Sequence, residues 1–251
     1  MTTFEMALLA MALLGLAVFV ALYFVEAGYG YLFNRKFGFP VPNKVGWVLM
    51  EAPAFFVMAA WCLQAPKGQT PQLVLAGLFL LHYFQRSFVF PLLMRGNSKM
   101  PVGIVLMGLL FNCINAGLIG AWLFREAPEG YYEGWFAQPC FWAGLLVFFA
   151  GMFINLQSDH IVRHLRKPGD KRHYIPRGGM FRYVSSANYF GEICEWTGFA
   201  IASWSAAGAL FAWWTFANLA PRSASLYRRY EQEFGEEFTS LGRKRIIPFI
   251  Y

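Results

Sequence analysis

Charged side chains are scarce in this sequence. Asp, Glu, Lys and Arg make up only 14% of its 251 residues, whereas 57% of the residues are hydrophobic. An average soluble domain is about 25% charged, and a soluble fold of this length needs more polar surface than this composition can supply. The shortage of charge excludes an ordinary soluble domain and indicates an integral membrane protein.

Signatures of the common nucleotide-binding and hydrolytic folds are missing. The sequence contains neither a GxGxxG after a strand nor a GxxxxGK[ST], so it carries neither a Rossmann nor a Walker phosphate loop. It also lacks the Gly-x-Ser-x-Gly and Cys/His arrangements of hydrolases. Any nucleotide must therefore be bound by another arrangement of side chains.

Cysteine and histidine are too few, and too far apart, to indicate a metal site. His160 and His164 are the only histidines spaced as a close helical pair, and no third ligand accompanies them. The cysteines form no CxxC pair and lie in or beside apolar stretches, so we expect reduced packing residues. They are Cys62, Cys113, Cys140 and Cys194.

Long apolar stretches, by contrast, occur along the whole chain. A helix that crosses about 30 Å of hydrocarbon needs about 20 mostly apolar residues. The stretch from Leu8 to Val25 has no basic segment before it, so we interpret it as a membrane helix and not a signal peptide. Seven stretches qualify, at roughly 5–26, 46–65, 71–94, 101–124, 135–163, 186–204 and 206–224. We predict one all-α membrane domain over residues 1–251, with seven transmembrane helices and no Rossmann domain.

The loops between these stretches differ in charge. The first, third and fifth loops are basic, whereas the fourth is acidic, with Glu126, Glu129 and Glu133. Because basic loops stay on the cytoplasmic side, we predict a cytosolic C-terminus and an N-terminus outside, which agrees with an odd number of helices. The basic residues of the three loops are Arg35, Lys36, Lys44, Arg95, Lys99, Arg166, Lys167, Lys171, Arg172, Arg177 and Arg182.

Several ionisable residues lie within the predicted membrane helices, where charge is costly and usually functional. Glu51 is either an interfacial carboxylate near a helix start or a functional group, and its position alone does not decide between the two. Tyr83 and Arg86 are three residues apart and share a helix face. A buried Tyr is often only structural, but an Arg one turn away inside a membrane helix favours a functional site.

Two further polar stripes flank the basic fifth loop. Asn155, Asp159, Arg163 and Arg166 follow one another at steps of four, four and three residues, which places them on one helix face. Asn188, Glu192 and Glu195 form a second stripe at i, i+4 and i+7. Polar stripes can simply hold membrane helices together. Two of them beside a basic loop indicate a polar cavity with a cationic rim, open to the cytoplasm and suited to an anionic ligand such as a nucleotide.

Five segments resemble the steroid 5α-reductases, and the likeness extends from about Glu51 to the C-terminus. The segments 155–169 and 184–196 are the most specific. The five are LHYFQRSFVF (81–90), NLQSDHIVRHLRKPG (155–169), IPRGGMF (175–181), VSSANYFGEICEW (184–196) and IPFIY (247–251).

This resemblance implies a seven-helix reductase that uses NADPH to reduce the C4=C5 double bond of a 3-oxo-Δ4-steroid. It implies that Glu51 and Tyr83 lie at the substrate carbonyl. The residues that it assigns to the cofactor are Asn155, Asp159, Arg166, Asn188, Glu192, Arg222 and Tyr230. We expect residues 1–125 to form mainly the substrate pocket and residues 135–251 mainly the cofactor pocket.

The resemblance also implies the surroundings of the protein. We expect a monomer in a lipid bilayer, with a steroid or other lipid enone as substrate and no nucleic acid as partner. The membrane would be the endoplasmic reticulum in a eukaryote or the inner membrane in a bacterium.

The assigned side chains suit that reaction. Hydride addition to the β-carbon of an enone pushes negative charge onto the carbonyl oxygen. Hydrogen-bond donors must therefore already be in place around this oxygen. Tyr83 can donate as it stands, and Glu51 can donate in its protonated form. Arg166 and Arg222 have forked donors that suit phosphate oxygens, and a 2′-phosphate that needs such cations favours NADPH over NADH.

The chain departs from the pattern of this family at two positions. Met50 stands where the animal steroid enzymes have a Gln before the catalytic Glu, so one carbonyl partner is missing. Leu226 stands where the family often has a His, four residues before Tyr230, and one cofactor contact is weakened.

Other functions are consistent with parts of the pattern. A membrane-embedded methyltransferase of the isoprenylcysteine type also binds a nucleotide-like cofactor near a basic C-terminal region. An enoyl-CoA or polyprenol reductase would use related chemistry. A small transporter would instead use the intramembrane carboxylates as proton sites.

Overall fold

The structure is a computed structural model that describes residues 1–25, 28, 32–33, 36–96, 98–167, 170 and 172–251. Arg35 and Lys171 of the predicted basic loops, and the end of the first predicted stretch at residue 26, lie outside the described residues. The described chain is mostly helical. Its strands are two short segments, β1 (Pro40–Pro42) and β2 (Lys99–Pro101), which pair antiparallel. The described part therefore contains no Rossmann-like sheet.

All seven predicted stretches form helices. The first two are α1 (Thr3–Phe24) and α2 (Asn43–Gln64). The third comprises α3 (Thr70–Phe84), a π-helical turn (Gln85–Val89) and α4 (Phe90–Leu93). The fourth comprises α5 (Val102–Ala121) and a π-helical turn (Trp122–Glu126). The remaining helices are α6 (Pro139–His164), α7 (Ala187–Ser203), α8 (Ala206–Phe234) and a short α9 (Glu236–Thr239).

Five helices are long and apolar enough to cross a membrane: Thr3–Phe24, Asn43–Gln64, Thr70–Leu93, Val102–Glu126 and Pro139–His164. Many large apolar side chains on these helices are exposed, among them Leu13, Leu110 and Leu146. Such surface suits lipid and not water. The fold is that of a multi-pass helical membrane protein. Because α7 has only 17 residues and α8 carries Pro221 and Arg222, the seven-span arrangement stays a prediction.

Two helix ends differ from the predicted ones. The helix predicted over 135–163 begins only at Pro139, which occupies its first turn, because residues Trp135–Ala137 form a separate 3₁₀ turn. The helix predicted to end at 224 continues as α8 to Phe234, since the apolar run ends there but the helix-forming sequence does not. Between α7 and α8, Trp204 adopts a left-handed conformation and the Ser205 hydroxyl caps α8 by accepting from the Gly208 amide.

Glycines allow α6 and α7 to pack backbone against backbone. A Cβ at Gly144 would lie 2.2 Å from the Ala202 amide nitrogen, and one at Gly198 would lie 2.2 Å from that of Phe148. The same holds nearer the polar end, where a Cβ at Gly191 would lie 2.5 Å from the Asn155 nitrogen. This close antiparallel pairing brings the two polar stripes of the sequence side by side.

The C-terminal segment fixes the start of α7. The backbone nitrogens of Ser185 and Ser186 donate to the carbonyl oxygens of Lys244 (2.8 Å) and Arg245 (3.1 Å). The Ser185 hydroxyl donates to the Arg245 carbonyl as well, at 3.0 Å. These bonds hold the N-terminal end of α7 against the tail of the chain.

Candidate active site

Two adjoining cavities lie between the helices. The first has a volume of about 520 Å³ and is walled by apolar side chains of α1, α5 and α8, with polar groups from α2, α3 and α7. The second has a volume of about 470 Å³ and lies among the ends of α6, α7 and α8 and the segment after α6. Both volumes are typical of small-molecule sites. The residues that line both cavities are Phe90, Asp159, Asn188, Tyr189 and Arg222.

Glu51 and Tyr83 line the first cavity and are joined by Asn112 of α5. The Tyr83 hydroxyl donates to Asn112 Oδ1 at 2.9 Å, and Asn112 Nδ2 donates to Glu51 Oε2 at 3.2 Å. Tyr83 is held from behind by the rings of Phe79 and Trp196, whose centroids lie 4.5 Å and 5.9 Å from its own. Two possible proton donors therefore lie together at one wall of an apolar cavity.

Arg86 forms the charged centre of the first cavity. Its guanidinium lies 2.9 Å from Asp159 Oδ2 and 3.4 Å from Glu192 Oε2, and it is almost fully buried. It also lies over the rings of Trp47 and Phe90, 4.9 Å and 4.5 Å from their centroids. This ion-pair network fixes the two carboxylates that the resemblance assigns to the cofactor.

His82 and Glu195 form a second buried pair beside this network. His82 Nδ1 lies 2.8 Å from Glu195 Oε1, and both side chains are buried. The His82 ring packs edge-on against Trp196 at 4.6 Å. The pair ties α3 to α7 immediately next to Tyr83.

Asn155 lies behind the wall of the cavities and is not among the residues that line either of these two. Its Nδ2 donates to the Asn188 carbonyl at 2.9 Å, while Asn188 Nδ2 donates to Asp159 Oδ1 at 3.3 Å. Both α6 residues thus hold Asn188 of α7. The geometry suits Asn155 as a support for Asn188 and Asp159, which do line the cavities.

The second cavity is rich in cationic and unpaired polar groups. Arg222 Nε donates to the Tyr189 hydroxyl at 2.7 Å, and Arg166 lies exposed at the rim. In the described residues, Arg163 Nη1 and the Ser186 hydroxyl are buried without a hydrogen-bond partner. Buried polar atoms normally have partners, so these two donors can bind the acceptor atoms of a ligand. Cations and donors at the start of α7 fit the phosphates of a dinucleotide.

Tyr230 lines the same cavity from the extended part of α8. Its ring packs against Phe238 of α9, with centroids 5.3 Å apart. Leu226 lines this wall one turn earlier. The extension of α8 beyond its predicted end is what brings Tyr230 to the cavity.

The segment after α6 covers the outer side of the second cavity. Hydrogen bonds from Arg172 and Tyr174 hold the pKa of the Asp170 carboxyl well below its usual range. Burial and the charges of Arg166 and Arg229 lower the pKa of His173. A neutral His173 ring can donate to Glu233 Oε1, which lies 2.7 Å from its Nδ1, and this bond ties the segment to α8.

The sequence indicated most of this site but not all of it. Every residue that the resemblance assigns lines one of the two cavities except Asn155. Asn112, His82 and Tyr189 were not assigned a role. Asn112 is a polar residue within an apolar helix. The same signal drew attention to Glu51 and Arg86 and could have identified Asn112 as well.

Comparison with known proteins identifies the family. The model of the 3-oxo-5-alpha-steroid 4-dehydrogenase family matches residues 98–251. The chain is 41% identical to mouse 3-oxo-5-alpha-steroid 4-dehydrogenase 1, over 94% of this chain and 92% of the mouse protein. It is 40% identical to human 3-oxo-5-alpha-steroid 4-dehydrogenase 2 (84% and 82% covered), and 35% identical to steroid 5-alpha-reductase DET2 of Gossypium hirsutum (100% and 98% covered).

This chain belongs to the 3-oxo-5-alpha-steroid 4-dehydrogenase family. The expected enzyme class, an oxidoreductase that acts on steroid C=C bonds, is confirmed by these relatives. The family model covers every residue that we assigned to the cofactor, while Glu51 and Tyr83 precede its first matched residue. The membership favours the reductase over the methyltransferase and transporter alternatives.

Proposed function

We propose that this enzyme reduces the C4=C5 double bond of 3-oxo-Δ4-steroids with NADPH. The observation that carries the proposal is the arrangement of Glu51, Asn112 and Tyr83 at one wall of an apolar cavity. This cavity adjoins a second one that is rich in cations. An apolar lipid enone suits the first compartment, and a dinucleotide phosphate suits the second.

Glu51 and Tyr83 would act on the carbonyl oxygen of the enone. When bound, NADPH would supply the hydride that adds to C5 and would become NADP⁺. The electron pair of the C4=C5 bond would then move towards the carbonyl oxygen, and C4 would take up a proton that comes from water. Tyr83 and protonated Glu51 stabilise the developing negative charge by hydrogen bonds. The apolar walls exclude water and strengthen these bonds.

The cations of the second cavity would hold the cofactor. Arg166 and Arg222 can bind phosphate oxygens, and Arg163 and Ser186 have donors that lack partners in the described residues. Several cations at one site favour NADPH, which carries an additional 2′-phosphate, over NADH. Asp159, Asn188 and Glu192 offer acceptors and donors to the uncharged part of the cofactor, and Tyr230 lines the second cavity together with Asp159 and Asn188.

The packing of α7 supports seven membrane spans. α7 lies antiparallel to α6 from Gly144 beside Ala202 to Asn155 beside Gly191, so it covers much of the membrane-crossing part of α6. The Tyr131 and Tyr132 hydroxyls of the fourth loop donate to the carbonyls of Trp204 (2.6 Å) and Ser203 (3.0 Å). The turn between α7 and α8 would therefore lie on the side of the acidic fourth loop.

This topology also predicts the orientation of the chain in the membrane. The N-terminus would lie outside, and the C-terminus and the cofactor cavity in the cytoplasm, where NADPH is found. We propose that the protein acts as a monomer in the bilayer, in the endoplasmic reticulum of a eukaryote or the inner membrane of a bacterium. A lipid substrate explains why the enzyme is a membrane protein.

The test is NADPH oxidation by the purified protein in detergent, with progesterone or testosterone. We expect absorbance at the NADPH band to fall only when steroid is present. Tyr83→Phe removes one donor to the oxyanion and should lower kcat by about 100-fold. Glu51→Gln keeps an N–H donor but no acidic proton, so its residual rate measures how much proton donation matters.

Glu129→Gln is the matched control, because this carboxylate is exposed in the fourth loop. It should keep wild-type kcat and KM. NADPH consumption that is equal with and without steroid would rule out the proposed reaction. Unchanged kcat in both Tyr83→Phe and Glu51→Gln would leave the reaction but remove these two residues from it.

A further inference from the structure

The side chain of Asn112 uses all of its polar atoms in hydrogen bonds at the cavity wall that holds Glu51 and Tyr83. The residue is 4% exposed. Nδ2 donates to the Met50 carbonyl at 2.8 Å and to Glu51 Oε2 at 3.2 Å, while Oδ1 accepts from the Tyr83 hydroxyl at 2.9 Å. Both N–H bonds of the amide are therefore used, and its oxygen has a partner.

The Met50 carbonyl determines which way the amide points. A backbone carbonyl can only accept, so the amide atom that faces it must be the nitrogen. The oxygen of Asn112 must then face Tyr83, and the Tyr83 hydroxyl must donate to it. The orientation of the amide is thus set by its partners and needs no further assumption.

This orientation determines where the proton of Glu51 resides. Glu51 Oε2 accepts an N–H from Asn112, and the carbonyl oxygen of a carboxylic acid is a stronger acceptor than its hydroxyl oxygen, so this bond favours the acid with Oε2 unprotonated. A protonated Glu51 consequently carries its proton on Oε1. The Tyr83 oxygen is held close by, with its proton directed at Asn112 until another acceptor takes it.

We propose that Asn112 is the positioning residue for both proton donors. It keeps the Glu51 proton on Oε1 and holds the Tyr83 hydroxyl so that its hydrogen can rotate from Asn112 Oδ1 to the carbonyl oxygen of the substrate. This inference rests on the proposed roles of Glu51 and Tyr83. Asn112 itself acts through these two residues and needs no contact with the substrate.

Two substitutions whose side chains are similar in size to Asn112 distinguish a role in positioning Glu51 and Tyr83 from a role in helix packing. Asn112→Leu removes every hydrogen bond, and misplaced donors should lower kcat by about 100-fold while the steroid KM changes little. Asn112→Asp places an ionised carboxylate against the Met50 carbonyl and Glu51, all of them acceptors. Protonation gives this Asp a donor again, so its kcat relative to wild type should recover as the pH falls.

Combination with Tyr83→Phe gives a second readout. If Asn112 acts through Tyr83 and Glu51, Asn112→Leu should lower kcat less in the Tyr83→Phe and Glu51→Gln backgrounds than in wild type. Cys113→Ala, at the next position of α5, is the control and should keep wild-type kcat. NADPH binding by each variant verifies that the protein is folded.

Several results would overturn the inference. They are a wild-type kcat in Asn112→Leu, a constant loss across the pH range in Asn112→Asp, or fully additive losses in the double variants. Each requires a wild-type enzyme that reduces the steroid. If wild type itself consumes no NADPH with steroid, the proposed function fails instead, so the two failures are distinguishable.

Discussion

Arg86, in the π-helical turn after α3, contacts both polar stripes of the site. It pairs with Asp159 and Glu192 and is covered by the rings of Trp47 and Phe90. A buried charge left without its partner is far more costly than a lost surface pair. The stability of the site therefore depends on this one guanidinium more than on any exposed ion pair.

We predict that Arg86→Met destabilises the protein by about 3–5 kcal/mol, because the buried Asp159 and the partly buried Glu192 lose their cation. Thermal unfolding in detergent measures the change. Arg125→Met is the matched control, since Arg125 pairs with Glu126 but is 73% exposed, and such pairs contribute only about 0–1 kcal/mol. Equal shifts of the melting temperature in the two variants would contradict the prediction.

Individual residues could be predicted wherever chemistry alone identifies them. Tyr83 and Arg86 share a face of an apolar helix and indicated a functional site, whereas Glu51 received a role only from the family resemblance. The bridge between Glu51 and Tyr83 could not be predicted, because Asn112 meets them only through the relative register of α2, α3 and α5. Asn155 was predicted to lie at the cofactor site because of its helix face, but it lines neither cavity. Its distance from them depends on how closely α7 packs, which the sequence does not show.

At the scale of elements, the contact between α6 and α7 holds the site together. These helices carry Asn155, Asp159, Asn188 and Glu192, and their backbones touch at Gly144, Gly151, Gly191 and Gly198. Small residues at such contacts let membrane helices approach closely. Any side chain here must push the two polar stripes apart.

We predict that Gly198→Ala destabilises the protein by about 1–3 kcal/mol through overpacking. The new Cβ would lie 2.2 Å from the Phe148 amide nitrogen, and NADPH should bind more weakly as the stripes separate. Gly117→Ala in α5 is the control, since no atom lies within 4 Å of its Cβ position. Unfolding and NADPH titration measure both effects, and an unchanged Gly198→Ala protein would show that the helices can separate freely.

Helices were easier to predict than their ends. Apolar length alone located the five helices that are long and apolar enough to cross a membrane, because the bilayer demands about 20 apolar residues whatever the fold. Apolar length could not show that α8 extends to Phe234, because the last residues of this helix are mostly polar or charged. Nor did it indicate the π-helical turn Gln85–Val89, which inserts an extra residue per turn at Arg86 and is a frequent feature of functional sites.

At the scale of the whole molecule, the two compartments correspond to two environments. The first cavity is lined by apolar residues of α1 and α5, whose outer surfaces are also apolar and exposed. The second is surrounded by the basic segment after α6 and the extended α8. The proposed reaction brings a lipid substrate and a water-soluble cofactor together, so it would need both environments. The membrane topology would determine from which side the cofactor enters.

Whether α7 and α8 cross the membrane decides this topology, and single cysteines can test it. With the protein expressed in the inner membrane of bacterial cells, we predict that a thiol reagent that does not cross this membrane labels Glu129→Cys and Trp204→Cys from the periplasm of intact cells. Arg177→Cys should be labelled only after permeabilisation. Trp204 is 62% exposed, and Tyr131 of the fourth loop binds its carbonyl, so both positions should share one side. The background should lack the four native cysteines. If Trp204→Cys instead labels together with Arg177→Cys, α7 does not cross, and five spans replace seven.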